Sequence, residues 1–191
     1  MWIRHFLAVA SCVFFAQMAC ADTILGVEVE DDNPYEPPEK EFKEQKLELP
    51  ALPKIDNLIP FDVSESFGFE FFIDTASLSV GKKDEILRYT VVLVSRQGAQ
   101  TVYHEGMRCS TREVRRYAEF FGDFQKSDSK WSPSSRNDWQ NVGSLGRNNY
   151  RFALYYDYWC NVGASMFSVK DMIQSIKRGG YGPSDTMYDK S

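Results

Sequence analysis

The fold turns on three consecutive stretches: Ile86-Leu87-Arg88-Tyr89-Thr90-Val91-Val92-Leu93-Val94-Ser95, then Arg96-Gln97-Gly98-Ala99, then Gln100-Thr101-Val102-Tyr103-His104-Glu105-Gly106-Met107-Arg108-Cys109. The first is dense in β-branched and apolar residues, the pattern of an interior strand covered on both faces. The second carries a glycine turn signal, and the third continues as a partner strand. Together they predict a hairpin over residues 86–109 at the centre of the domain.

Working outward, Phe67 to Ile73 alternates imperfectly and is rich in phenylalanine, which suits a half-buried strand. On the other side, Ser110-Thr111-Arg112-Glu113 has the spacing of a capping box, a hydroxyl at the cap and a glutamate three residues on. Val114, Tyr117, Ala118 and Phe121 then fall at helical intervals, so a helix ending at Gly122 is expected. Asp123 to Gly146 reads as a long polar loop folded back by Trp131 and Trp139. Asn148 or Asn149 can cap a helix running to about Trp159, with Phe152, Tyr155, Tyr156 and Trp159 on one face. Ser168 caps a last helix whose Val169, Met172, Ile173 and Ile176 keep helical spacing, stopped by Gly179-Gly180. The expected fold is α+β: a small antiparallel sheet around the central hairpin, packed by two or three helices, spanning residues 61–180 with a frayed tail at 181–191.

The N-terminal part has another character. Arg4 and His5 precede an apolar run from Phe6 to Ala19, and Ala19-Cys20-Ala21 gives a small-x-small cleavage pattern. That run is too short to span a bilayer as a helix and fits a signal peptide over residues 1–21. A lipoprotein signal ending before Cys20 is the alternative, although Gln17 stands where such signals carry a leucine-like residue. Residues 22–60 hold eleven acidic and four basic side chains and six of the eight prolines. Such a stretch buries little apolar surface and reads as an extended, disordered tether. From Phe61 onward sixteen acids face seventeen bases, so the domain is nearly neutral and carries no nucleic-acid footprint.

After leader removal two cysteines remain, Cys109 and Cys160. In an oxidising compartment they read as a disulfide, and the alternative is a pair of buried thiols. No Cys-x-x-Cys or His-Glu-x-x-His spacing occurs, so neither a metal nor a cofactor is expected. Cys109 lies beside the expected helix start, where a thiol pKa falls, but a structural bridge is the reading preferred over a catalytic thiol. His104 and Arg108 alternate with Glu105 and Cys109, which separates any Cys–His–Glu constellation and leaves His104 as an exposed strand residue. No catalytic residues are assigned. Arg108, Arg112, Arg115 and Arg116 form a possible patch for an anionic partner, lipid head groups or the acidic tether itself. Tyr155, Tyr156, Tyr158, Trp159, Trp131 and Trp139 could line a cleft, though aromatics at helical spacing usually form core.

Several runs also resemble a known family. They are Ser77-Leu78-Ser79-Val80-Gly81, Arg88-Tyr89-Thr90, Ser95 with Gly98-Ala99, Tyr103 with Glu105-Gly106-Met107-Arg108-Cys109, and Tyr158-Trp159-Cys160. They resemble the cryptic neisserial protein family, exported proteins of Gram-negative bacteria. The resemblance implies a periplasmic location, for some members a lipid anchor, and supplies no catalytic residues. The expected function is a non-enzymatic binding or structural module of the periplasm acting on an unidentified envelope component. Membrane contact would come only through a lipid at Cys20, which would make the chain an outer-membrane lipoprotein. The alternative is an envelope enzyme acting on a wall or glycan component through an acid such as Glu105 or Asp157.

Overall fold

The computed structural model describes residues 42–64, 68–161, 164–165 and 168–180. The expected leader, Cys20, the first part of the acidic stretch and the tail at 181–191 lie outside these residues. Eight strands form one antiparallel sheet: β1 (Leu58–Phe61), β2 (Phe69–Asp74), β3 (Ser79–Val80), β4 (Leu87–Ser95), β5 (Gln100–Arg108), β6 (Glu113–Phe121), β7 (Ser132–Pro133) and β8 (Gln140–Asn141). The path across the sheet is β1-β2-β4-β5-β6-β7, with β3 also on β4 and β8 also on β6. The β4–β5 hairpin is central, pairing Leu87 with Met107 and Val94 with Gln100. Pro60 sits in β1, which has a strand on one side only; an edge is where a residue without an N–H fits a sheet.

The architecture is mainly β, not the α+β arrangement expected. The decisive difference is β6, which occupies the residues expected to form a helix after Ser110. Cys109 to Arg112 form a tight turn, with Arg112 at φ 57°, and the chain returns along β5. Glu113, expected to complete a capping box with Ser110, instead accepts from the Thr111 hydroxyl at 2.6 Å. The misleading periodicity has a physical origin. Glu105 opposes Arg116 while His104 opposes Ala118, so Tyr117 is an extra residue, a β-bulge. The bulge switches the face of the alternation midway, and an interrupted period of two imitates the i, i+3, i+4 spacing of a helix.

Among the described residues the helices are short. In α1 (Tyr150–Ala153), the Asn149 side chain accepts from the Arg151 N–H at 3.0 Å. The chain continues directly into a π-helical stretch, Leu154–Trp159, and after the small β9 (Cys160–Asn161) and β10 (Ala164–Ser165) ends in α2 (Val169–Lys177), capped by Ser168. The wide π winding turns Leu154, Tyr155, Tyr158 and Trp159 inward and leaves Tyr156 exposed. They pack with Met172 and Ile176 onto Phe71, Ile73, Leu87, Tyr89, Val91, Met107 and Val114 of the sheet. Full burial of Leu154 and Met172 contributes roughly 2–3 kcal/mol each. The aromatic residues expected as core or cleft are thus divided: Tyr155, Tyr158 and Trp159 belong to this core.

The opposite face of the sheet has its own small core, Val92, Val102 and Phe124, with Phe72, Phe120 and Trp131 against it. Across this side runs the end of the acidic stretch, which up to Pro60 was expected to stand off as a tether. Where it is described it lies on the domain. Trp131 donates its indole N–H to the Pro50 carbonyl at 2.7 Å, and Gln125 donates to the Pro53 carbonyl at 3.2 Å. Residues 42–54 of this strap lie in no helix or strand, leaving the Pro50 and Pro53 carbonyls to accept from side chains, and a 3-10 turn at Ile55–Asn57 then leads into β1.

Candidate functional site

Two charged clusters lie on opposite faces of the central strands. The first is closed. Glu105 of β5 is fully buried beneath α1. Its Oε1 accepts from Tyr150 Oη at 2.8 Å, from Arg116 Nε at 3.2 Å and from Arg151 Nη2, and its Oε2 accepts from Tyr89 Oη at 3.0 Å and Arg151 Nε at 3.2 Å. Burial alone would raise this carboxyl pKa. The Arg151 charge and hydrogen bonds, with those of Arg116, outweigh it and hold Glu105 below the ordinary carboxylate range. The same burial and the Glu105 charge push the Tyr89 and Tyr150 hydroxyls up. A carboxylate with every lone pair taken and no solvent contact is a structural anion. It neither offers nor takes a proton near neutrality.

The second cluster is built on a three-strand row. Arg88 of β4 lies opposite Gly106 of β5, and Gly106 lies opposite Arg115 of β6, so all three share one face. The missing side chain at Gly106 makes the floor: a Cβ there would collide with the Tyr117 hydroxyl and with Ile86. Arg88 is held by Asp84 through two contacts, Nη2 to Oδ2 at 2.6 Å and Nη1 to Oδ1 at 3.3 Å. Burial favours the neutral acid, but the Arg88 hydrogen bond and charge, with the N–H of Gln45, keep Asp84 lowered and ionised. Into the bay from the strap comes Glu44. It accepts from Arg115 Nη1 at 2.8 Å and Tyr117 Oη at 2.6 Å, with Arg88 Nη2 at 3.9 Å. The strap adds Phe42, whose ring lies 3.7 Å from the Arg108 guanidinium carbon, and Gln45, whose N–H donates to Asp84 at 2.8 Å.

The four arginines expected as one patch are therefore distributed. Arg108 and Arg115 meet the strap, and Arg108 also pairs with Glu113 at 2.9 Å. Arg116 faces the other way, onto Glu105 and Glu119, and its guanidinium lies over Tyr103. Arg112 is exposed in the β5–β6 turn. One of the partners considered for the patch, the acidic segment of the chain itself, is what Arg115 holds. Arg88, Asp84, Tyr117 and Arg151 were missed from sequence. The one available signal was Asp84 four residues before an arginine embedded in an apolar run.

Cys109 and Cys160 are joined as a disulfide and both are buried. Cys109 begins the turn between β5 and β6 and precedes no helix, so the helix-dipole argument for a reactive thiol lapses. His104 is buried, not exposed: its Nδ1 lies 3.0 Å from Thr90 Oγ1, with the Tyr117 and Trp131 rings about it. Desolvation lowers its pKa to about 4, so the imidazole is neutral near pH 7. Asp157 is exposed and far in sequence from Glu105, and the two form no hydrogen-bonded pair among the described residues. Among the described residues, no three His, Cys, Asp or Glu side chains converge as a metal site.

Comparison with known proteins gives a consistent picture of kinship. The model of the CNP1-like family matches residues 37–177, a span that includes the strap and both clusters. The chain is 29% identical over 171 residues to cryptic neisserial protein 1 of Neisseria gonorrhoeae, covering 83% of this chain and 84% of that protein. No solved structure matches the chain.

Proposed function

The chain belongs to the CNP1-like family, and from that footing we propose that it is an exported, disulfide-stapled binding module of the periplasm and not an enzyme. The observation that carries this reading is the state of Glu105. The most chemically equipped group of the domain is sealed between two arginines and two tyrosines, where it can hold the fold but reach no substrate. Support for the address comes from the leader pattern at residues 1–21 and from Cys109–Cys160, a bond that persists in oxidising compartments. The remaining charged surface holds an extended chain by one of its glutamates, which is binding chemistry. The test is incubation of the folded protein with purified cell-wall sacculi and, separately, outer-membrane vesicles. Co-sedimentation with one of them without release of soluble fragments is expected. Release of new reducing ends, abolished by Glu105→Gln at a pH where that variant is folded, would establish the enzyme instead.

A further inference from the structure

The bay on the second face holds its own occupant poorly. Arg88 is only 8% exposed, yet among the described residues its Nε has no hydrogen-bond partner, and neither has the buried Nε of Arg115. Glu44 gives Arg115 one bond and stands 3.9 Å from Arg88, beyond hydrogen-bond reach. A buried guanidinium with an unpaired donor is costly, and a better-placed carboxylate would recover that cost. The charges say the same. Arg88 and Arg115 are balanced by Asp84 and Glu44 while the strap is docked, and one cation is left without its counter-ion when it leaves.

The strap itself is lightly held. Phe42, Lys43, Lys46, Glu48 and Leu49 are exposed, and the contacts that fix residues 42–45 are polar or cation–π apart from one edge-on contact of Phe42 with Trp139, ring centroids 6.3 Å apart. Segments with little buried apolar surface open at a fraction of the global stability. The contacts also form a reading frame: an aromatic on Arg108, then at +2 a glutamate in the bay, then at +3 a glutamine bridging Asp84 and the Lys83 N–H.

We infer that the Arg88–Gly106–Arg115 row with Tyr117 is a carboxylate-binding site for an extended, glutamate-bearing peptide of a partner protein, and that Glu44 fills it in cis. The inference rests on reading the domain as a binding module, and it names the ligand class of that module. The partner segment carries an aromatic residue two positions before a glutamate and lies along the second face as the strap does. The strap then sets a threshold. Tethered beside the site, it competes at an effective concentration on the order of millimolar, so only a ligand that satisfies the open guanidinium donors displaces it.

The experiment uses the full mature chain, oxidised, with the site vacated by Phe42→Ala and Glu44→Gln, and a fluorescent peptide of sequence Glu-Phe-Lys-Glu-Gln-Lys, copied from residues 41–46. The vacated variant should bind the peptide at least tenfold more tightly than the wild type. Replacing the glutamate after lysine in the peptide by alanine, or adding Arg115→Ala to the variant, should each weaken binding about tenfold. Equal binding to wild type and variant, no binding to a folded variant, or indifference to that glutamate overturns the site. So does a wild-type chain that dimerises by exchanging straps, which would make a second copy the occupant. Should the variant not fold, hydrogen exchange on the wild type decides. The Gln45 amide should exchange at least a hundredfold faster than the slowest amides of β4 and β5, and equal protection would make the strap an integral part of the fold. With sacculus co-sedimentation retained, any of these failures removes the site without removing the module.

Discussion

Replacing Arg151 by methionine isolates the energetics of the sealed cluster. Methionine keeps most of the length of the side chain but removes the Nε and Nη2 contacts to both Glu105 oxygens. Arg116, Tyr150 and Tyr89 remain, so the carboxylate keeps part of its support. Breaking one partner of a buried ion pair costs about 3–5 kcal/mol, and the residual partners place this case near 3 kcal/mol. With a urea m-value of about 1.5 kcal/mol/M, the midpoint should fall by about 2 M at unchanged m. The pH dependence gives the sharper signature. In the wild type the depressed pKa of Glu105 contributes stability above the ordinary carboxylate range, lost as pH falls through the folded value. In the variant burial dominates and raises that pKa, so stability is greatest in acid and declines as pH rises through it. The gap between the two proteins should therefore be smaller near about pH 4 than near about pH 7. Urea titrations of the oxidised proteins at both pH values measure it. A loss below about 1 kcal/mol, or one independent of pH, would refute the claim that Glu105 is held ionised by Arg151.

Three further outcomes follow from the same geometry. His104 titrates at about 4 in the fold against 6.5 when free, so the unfolded chain takes up the extra proton between those values. Stability should be whole above pH 6.5 and fall by about 3 kcal/mol on the way to pH 4, a slope that His104→Asn should flatten in thermal melts across that range. Removing the disulfide by Cys109→Ala with Cys160→Ala frees a loop with a sequence separation of 51 and should cost about 4 kcal/mol by the chain-entropy account, read as a urea midpoint shift. Gly106→Ala should displace Tyr117, cost about 1–3 kcal/mol by overpacking, and accelerate exchange at the Gln45 amide as Glu44 loses a donor; an unchanged amide would contradict the bay geometry.

Much of the centre was legible from the chain because local signals and tertiary fate agree there. The residues from Ile86 to Cys109 form a hairpin, Ser168 caps the last helix, and Cys109 pairs with Cys160. The reading went astray where one local pattern serves two structures. Around Tyr117 a bulge reproduces helical spacing, and Ser110 and Glu113 have the spacing of a capping box while Glu113 in fact accepts from Thr111. The strap was hidden because its composition is that of a solvated linker, and its docking depends on Arg115, Tyr117 and Trp131, residues more than 70 positions away. The alternation of β5 rightly separates His104 from Glu105, but it cannot reveal that both sides of that strand are covered. The burial of His104 follows from Tyr117 and the loop carrying Trp131, and that of Glu105 from α1; the Trp131 loop and α1 are brought over the strand by long-range contacts.

Export and the disulfide staple are read together by the intact mass of the protein purified from its native envelope, before and after reduction and alkylation. The expected species is a chain beginning at Asp22 that takes up alkylating reagent at Cys109 and Cys160 only after reduction. A chain retaining residues 1–21, or thiols that react before reduction under acid-quenched handling, would contradict it.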